Sequence, residues 1–333
     1  MAITIVKPGL LATIQDLGRT GYQGYGIVVG GVMDQGAARV ANIIVGNSDD
    51  EAVIEFTSAG GEIRIERELL ISLCGGDLGA TVNGRYVPLW RPVLLNRGDI
   101  ITFGASRFGS RVYLAVAGGF NMNKVLGSKS TYIRGGLGGH EGRALKAGDH
   151  LMVNGIAASS LSAKLITAIQ EKRWLSTWHA GQFALADRDV FVIRVMEGTH
   201  SNRLSDEAKV SLFGGIFRIG TLSDRMGYRL EGKRALGPLQ RSAELLSEAV
   251  AIGTVQLPPD GNPIVLLADR QTTGGYPRVA QIATVDIPLF AQLKPGDKIL
   301  FELITLQTAE RLLLTAEHDL TMLKIAVGLK GKE

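Results

Sequence analysis

The sequence predicts a mainly β protein made of two related, barrel-like subdomains with a few flanking helices. Three observations predict it. Short apolar runs recur along the chain, glycine turns separate them, and one turn-plus-strand device appears three times. Strands this frequent, each closed by a turn signal, suit barrel architecture better than a helical or α/β one. Glycine makes 43 of the 333 residues, nearly double the usual share of about 7%, but shows no triplet period, so collagen is excluded.

Taken in chain order, Asp34 can cap a helix over Gln35 to Val45, with Ala37, Val40, Ala41 and Ile44 on one face. Gly46-Asn47 would stop it. Glu62–Glu66 alternates polar and apolar residues, which sets Ile63 and Ile65 on one face of a strand. Leu69–Cys74 and Val112–Ala117 are continuous apolar runs ended by Gly-Gly, the pattern of strands covered on both faces. Leu161 to Trp174 forms an amphipathic segment expected to bridge the two halves. Val190–Val195 and Ile264–Ala268 repeat the buried-strand pattern, and Thr305 to Val327 carries apolar residues at helical spacing. Gly331–Glu333 should fray. The expected division is a first subdomain over 1–185, including the bridging helix, and a second over 186–333 with the C-terminal helix.

The recurring device is a Gly-Asp turn delivering a strand: residues 95–99, 145–149 and 293–297 each end in Gly-Asp before an apolar run. Glycine supplies the backbone freedom that such a turn requires. A second echo pairs Thr13-Ile14-Gln15-Asp16 with Thr221-Leu222-Ser223-Asp224, each followed by Gly-Tyr. The two echoes have different offsets, so a plain tandem duplication does not follow.

Composition excludes several function classes. Hydrophobic residues at 45% and charged residues at 20% describe a globular chain with a core rather than disorder. The net charge of +4 is spread without a run of like charges, so neither nucleic acid nor an anionic membrane is expected as a partner. One cysteine, Cys74, precludes an intrachain disulfide and fits a reducing compartment. The N-terminus lacks a basic n-region and a long apolar core, and no run approaches the length of a membrane span, so the expected location is cytoplasmic. The five histidines lack metal-ligand spacing, and no metal site is expected. Gly127-Ser128-Lys129-Ser130 is not a phosphate loop, Arg134–Gly139 lacks the dinucleotide spacing, and no Met-Lys context would accept covalent biotin.

Any site must therefore be assembled from polar residues on turns. Four glycine-flanked polar segments break the strand rhythm: 8–19, 125–132, 223–230 and 267–277. They supply the candidates. In the last segment an apolar strand ends in Asp269-Arg270-Gln271-Thr272-Thr273-Gly274-Gly275, followed by Tyr276. A strand end this rich in donors, with glycines admitting close backbone approach, suits a carboxylate or an oxyanion. Arg270 could clamp a carboxylate in two-pronged fashion, and Asp269 could serve as base or ligand. Asp224, Arg225, Tyr228 and Arg229 form the third cluster, Lys129 and Ser130 the second, and Gln15, Asp16 and Arg19 the first. Each has a structural alternative, since Asp-Arg pairs also form internal salt bridges and Thr-Thr-Gly-Gly also makes hairpins.

Together these segments resemble one family. Pro8-Gly9-Leu10-Leu11 with Gln15–Arg19, Met33-Asp34, Ala41-Asn42 and Gly46-Asn47 match its N-terminal pattern. Gly127–Tyr132, Gly138-Gly139, Gly142-Arg143 and Leu145–Asp149 match its middle, and Ser223–Leu230 with Ala268–Pro277 its second half. The chain resembles the biotin-dependent carboxyltransferase family, also called allophanate hydrolase subunit 2 or KipA-type proteins. Val28–Val32 departs from it, where the family often has Pro and then Ser-Gly-Ala.

The resemblance implies that both subdomains are cyclophilin-like β-barrels. It also implies, for a stand-alone chain, the role of the C subunit of an ATP-dependent 5-oxoprolinase, inactive alone and working with the A and B subunits. In that setting ATP and Mg²⁺ are shared with a partner subunit, and the substrate is a small amide or lactam. Asp269, Arg270, Asp224 and Arg225 would be catalytic. Gln271, Thr272, Thr273, Tyr276, Tyr228, Arg229, Lys129, Ser130, Gln15, Asp16 and Arg19 would bind substrate. Two alternatives accompany it: the carboxyltransferase component of a urea or allophanate pathway, and a non-enzymatic regulator that binds a sporulation-kinase inhibitor homologous to the B subunit.

Overall fold

The computed structural model describes residues 2–158, 160–170, 175–181, 188–236 and 245–330. The chain divides into two units. The first comprises Met1–Arg19, Asp34–Leu185 and Glu317–Glu333, and the second Thr20–Met33 and Ala186–Ala316. The long cut falls between residues 185 and 186, outside the described residues, and two segments cross it. Thr20–Met33 joins the second unit because Met33 packs into its apolar core and the Gly31 carbonyl accepts from Arg225 at 2.6 Å.

The first unit contains β1 (Ile3–Lys7), β2 (Leu11–Gln15), β3 (Val53–Thr57), β4 (Glu62–Ile65) and β5 (Leu69–Asp77). It continues with β6 (Thr81–Val82), β7 (Arg85–Tyr86), β8 (Pro92–Leu95), β9 (Ile100–Thr102), β10 (Phe108–Val116) and β11 (His150–Leu151). These strands form a six-stranded sheet in the order β11-β1-β4-β9-β6-β7 and a five-stranded sheet in the order β2-β3-β10-β5-β8. Helix α1 (Gln35–Ile44) packs on β5 and β10. All nine residues of β5 are buried, as are the last seven of β10, which is why both read as continuous apolar runs. Cys74 lies inside β5, fully buried, and burial pushes its thiol well up.

Helix α1 starts and stops where its sequence dictates. The Asp34 carboxylate accepts from the Ala37 N–H at 2.8 Å, and Gly46 follows with φ 80°. Helix α2 (Leu161–Gln170) belongs to this unit, with the Ser162 hydroxyl donating to the Val45 carbonyl at 2.7 Å. The expected continuation of that segment to Trp174 lies outside the described residues, as does the expected fraying of 331–333.

The second unit begins with β12 (Phe191–Glu197), α3 (Asp206–Gly214), β13 (Ile216–Ile219), β14 (Gly227–Gly232) and β15 (Glu248–Ala249). Next come β16 (Thr254–Gln256), β17 (Ile264–Leu266), β18 (Thr273–Gly274), β19 (Arg278–Ile282), α4 (Ile287–Gln292) and β20 (Lys298–Leu303). Seven strands close a barrel in the order β12-β19-β16-β17-β14-β13-β20, and β15 pairs with β18 as a separate ribbon. Closure thus occurs in the second unit, whereas the strands of the first form two sheets. Val195, Phe217, Leu230, Val255, Val265 and Phe301 are among the residues that fill the barrel core. Helix α5 (Leu306–Lys330) ends the described chain, and its Glu317 takes two hydrogen bonds from Arg39 of α1, at 2.5 and 2.8 Å.

The three Gly-Asp turns share one geometry. In each, the N–H three residues before the Asp (Asn96, Lys146, Lys294) donates to that carboxylate at 2.8–2.9 Å. Each glycine has φ between 89° and 97°. Its N–H donates to a strand carbonyl, of Ile65, Ile5 or Ile219, and the N–H of the same isoleucine returns a bond to the Asp carbonyl. The sequence repeat is therefore a structural one.

Candidate functional site

The candidate residues gather in two clusters, one in each unit. In the first unit, residues 128–131 are stitched to the end of β2. The Asp16 carboxylate accepts from the Ser128 hydroxyl (2.6 Å), the Ser130 hydroxyl (2.5 Å), the Gly18 N–H (2.8 Å) and the Lys129 N–H (2.6 Å). Arg19, only 1% exposed, donates to the Ser130 carbonyl at 2.5 Å. Gln15 donates to the Thr131 carbonyl and the Thr13 hydroxyl, both at 3.1 Å. The Lys129 ammonium meets Glu51 at 2.5 Å and the Phe120 carbonyl at 2.9 Å. All five expected binding residues here are buried and engaged within the chain. Their chemistry is that of a buried polar network holding a loop in place.

Gly138 and Gly139 make that packing feasible. A Cβ on Gly138 would lie 2.1 Å from the Ser130 carbonyl oxygen, and one on Gly139 would lie 1.9 Å from the Thr131 hydroxyl. The same segment borders a polar recess of about 360 Å³ lined by Asn121, Asn123, His140 and Glu141, among others. Glu141 holds a left-handed backbone, φ 57°, as does nearby Leu126, φ 52°, conformations that cost about 1–3 kcal/mol each in a non-glycine residue. In the sequence nothing marks these residues except the density of glycines around His140.

In the second unit, Arg225 and Asp269 form a two-pronged ion pair, Nε to Oδ2 at 2.9 Å and Nη2 to Oδ1 at 3.0 Å. The two residues are 6% and 8% exposed. Backbone bonds run beside the pair, from the Asp269 N–H to the Arg225 carbonyl and from the Leu267 N–H to the Met226 carbonyl. Each Asp269 oxygen accepts from the same guanidinium, the geometry of an internal two-pronged ion pair. Tyr228 is 3% exposed, stacks 5.2 Å from Phe290 and donates to the Leu293 carbonyl, so it belongs to the core. Asp224 accepts from the Met226 and Gly227 N–H groups, closing its own turn, and Arg229 is exposed.

Arg270 differs from its neighbours. It is half-buried, and its guanidinium donates only to the Val250 and Leu267 carbonyls, each at 3.3 Å, with no acidic partner among the described residues. Burial lowers its pKa, the mark of a charge removed from water without a counter-ion. Gln271, Thr273 and Tyr276 are exposed beside it, and Thr272 is half-buried. The β15–β18 ribbon carries part of this loop. Beneath the ribbon lies Gln256, 5% exposed, whose Nε2 has no acceptor among the described residues and sits 2.4 Å from where a Gly274 Cβ would be. Its one signal in the sequence is a glutamine after Thr-Val in a buried strand, too common a pattern to single it out. At the far end of the loop the Arg278 N–H donates to His200 Nδ1 at 3.1 Å, which fixes the neutral imidazole. Burial, then Arg203 and Arg278, lower the His200 pKa from 6.5.

A cation that meets only carbonyls among the described residues, on a loop that also carries hydroxyl, amide and phenol groups, can bind an anionic or carbonyl-bearing ligand. Among the described residues no group of three His, Cys, Asp or Glu side chains could hold a metal ion, and no helix is long and apolar enough to cross a membrane.

One closed-barrel unit and one two-sheet unit, each with its own motif loops, define a two-subdomain class. Residues 25–303 match the family described as carboxyltransferase domain, subdomain A and B, and the chain belongs to that family. It is 33% identical over 322 residues to the C subunit of 5-oxoprolinase from Haemophilus influenzae, a match covering 96% of this chain and 97% of the relative. It is 30% identical over 323 residues to urea amidolyase of Lachancea kluyveri, which covers 93% of this chain and 17% of the relative. The crystal structure of Kluyveromyces lactis urea carboxylase shares the fold, with a TM-score of 0.86 and 27% identity over 97% of this chain and 29% of that one.

Proposed function

We propose that this chain serves as the C subunit of an ATP-dependent lactam hydrolase of the 5-oxoprolinase type, converting 5-oxoproline to glutamate together with the A and B subunits and inactive by itself. The observation that carries the reading is the end-to-end match with a relative of that name, 97% of which is covered. The site supports a binding role. Arg270 would take the substrate carboxylate, and Gln271, Thr272, Thr273 and Tyr276 would supply donors to the lactam oxygen. Asp269, paired with Arg225, and Asp16, which accepts from four donors, would hold their loops in place around the ligand.

ATP would phosphorylate the amide oxygen and so make an unstrained lactam hydrolysable. Mg²⁺ would enter with the nucleotide phosphates, at a site shared with a partner subunit. Glutamate release from 5-oxoproline with ATP and Mg²⁺, omitting each subunit in turn, tests the proposal. Glutamate only from the complete set is expected, and full turnover without this chain would overturn it. A second reading, as the carboxyltransferase part of a urea carboxylase system, is favoured by the fold match. Turnover abolished by avidin would select it.

A further inference from the structure

The second unit carries an open cleft of about 950 Å³ lined by exposed side chains of β13, β14 and β20. In the sheet register Arg218 of β13 stands opposite Lys298 of β20 and Glu231 of β14, so three side chains form a row across adjacent strands. Lys233 and Arg234 follow directly after β14 and line the same cleft. None of the four cations has an ion-pair partner among the described residues. Among the described lining residues four cations stand against one carboxylate, an excess of three positive charges, and a lined cleft concentrates their field. The floor is not wholly polar, because Ile216, two residues before Arg218 and on the same strand face, is 51% exposed.

Two features decide what such a cleft accommodates. Lys298 and Arg218 stand side by side on adjacent strands about 4.8 Å apart, and Glu231 is next in the same row. Lys233 and Arg234 follow the end of β14, so the charges come from three separate segments spread along the cleft. The last turn of α3, with Gly214, forms one wall. A helix C-terminus presents carbonyl oxygens and partial negative charge, which opposes a compact dianion but accepts backbone N–H groups. An extended peptide supplies both kinds of group.

We propose that this cleft docks a polypeptide segment of a partner chain in which acidic and apolar side chains alternate. The acids would pair with Arg218, Lys298, Lys233 and Arg234, and the apolar side chains would cover Ile216. This holds whichever reaction the chain serves. The probe is a fluorescein-labelled peptide of about ten residues alternating Glu and Leu, read by anisotropy against the full-length chain.

Expected is saturable binding that weakens at least about tenfold in Arg218→Glu/Lys298→Glu, and likewise in Lys233→Glu/Arg234→Glu. Binding should also weaken as NaCl rises from about 0.05 to about 0.5 M. All four side chains are exposed, so circular dichroism should show both variants folded. Equal binding by the variants, or equal binding of a Lys–Leu peptide, would overturn the proposal. So would complete displacement by tripolyphosphate at equal concentration, which would reassign the cleft to a phosphorylated small molecule.

Discussion

Arg225 and Arg270 illustrate how two arginines of one loop system divide into different jobs. Arg225 is neutralised inside the fold by Asp269, while Arg270 meets only carbonyl oxygens among the described residues. Asp269→Asn would leave a buried guanidinium without its counter-charge and should cost about 3–5 kcal/mol in urea denaturation. Arg270→Ala gives up two long bonds to neutral acceptors and should cost about 1 kcal/mol or less, while raising KM for the carboxylate substrate in the assembled enzyme. Similar stability losses in the two variants would remove the basis for Arg270 as a ligand-binding cation. The sequence pointed to both residues and could not separate them. What distinguishes them is the partner each meets, and Arg225 lies 44 positions from Asp269. The same holds for Asp16 and Asp224. Each closes a turn by accepting from the N–H two residues on, at 2.8 Å. Asp16 is buried because a segment more than 110 residues away covers it, whereas Asp224 is exposed.

At the scale of elements, local rules carried far. The helix after Asp34, its glycine stop and the three Gly-Asp turns follow from capping and turn chemistry within a few residues. The isoleucine that receives each turn was not legible, because strand register is settled by tertiary pairing. Nor was closure, since a strand covered on both faces reads the same whether a helix or a second sheet does the covering. The turns make a quantitative expectation. Gly296 has φ 97° with nothing within 4 Å of where a Cβ would sit, so Gly296→Ala should cost only the left-handed strain, about 1–2 kcal/mol. Gly139→Ala combines that strain with a contact at 1.9 Å and should be several-fold more destabilising. Equal losses in guanidinium denaturation would contradict the packing described for residues 128–131.

For the molecule as a whole, His200 at mild acidity and a set of lowered carboxylates that includes Asp149 at stronger acidity should set its response to acid. The folded pKa of His200 lies below 6.5, so its contribution is complete above that value and lost as pH falls toward the folded pKa. Asp149, paired with Arg143 at 2.8 and 2.9 Å, is lowered from 3.8 to about 2. Its contribution is present above 3.8 and fades as pH drops toward 2. Melting temperature should therefore decline in two stages on acidification, and His200→Gln should abolish the first. A variant curve parallel to the parent between pH 7 and 5 would exclude His200 as the source.

The two units exchange segments, with residues 20–33 in the second and 317–333 in the first. A ribosome releases the chain from one end, so Thr20–Met33 emerges long before the barrel it belongs to has been translated. The first unit in turn waits until the whole of the second has been translated before Glu317 can reach Arg39. The first unit therefore cannot be completed until every residue of the second has been made, and a gene split near codon 185 would encode two fragments, each missing part of its own unit.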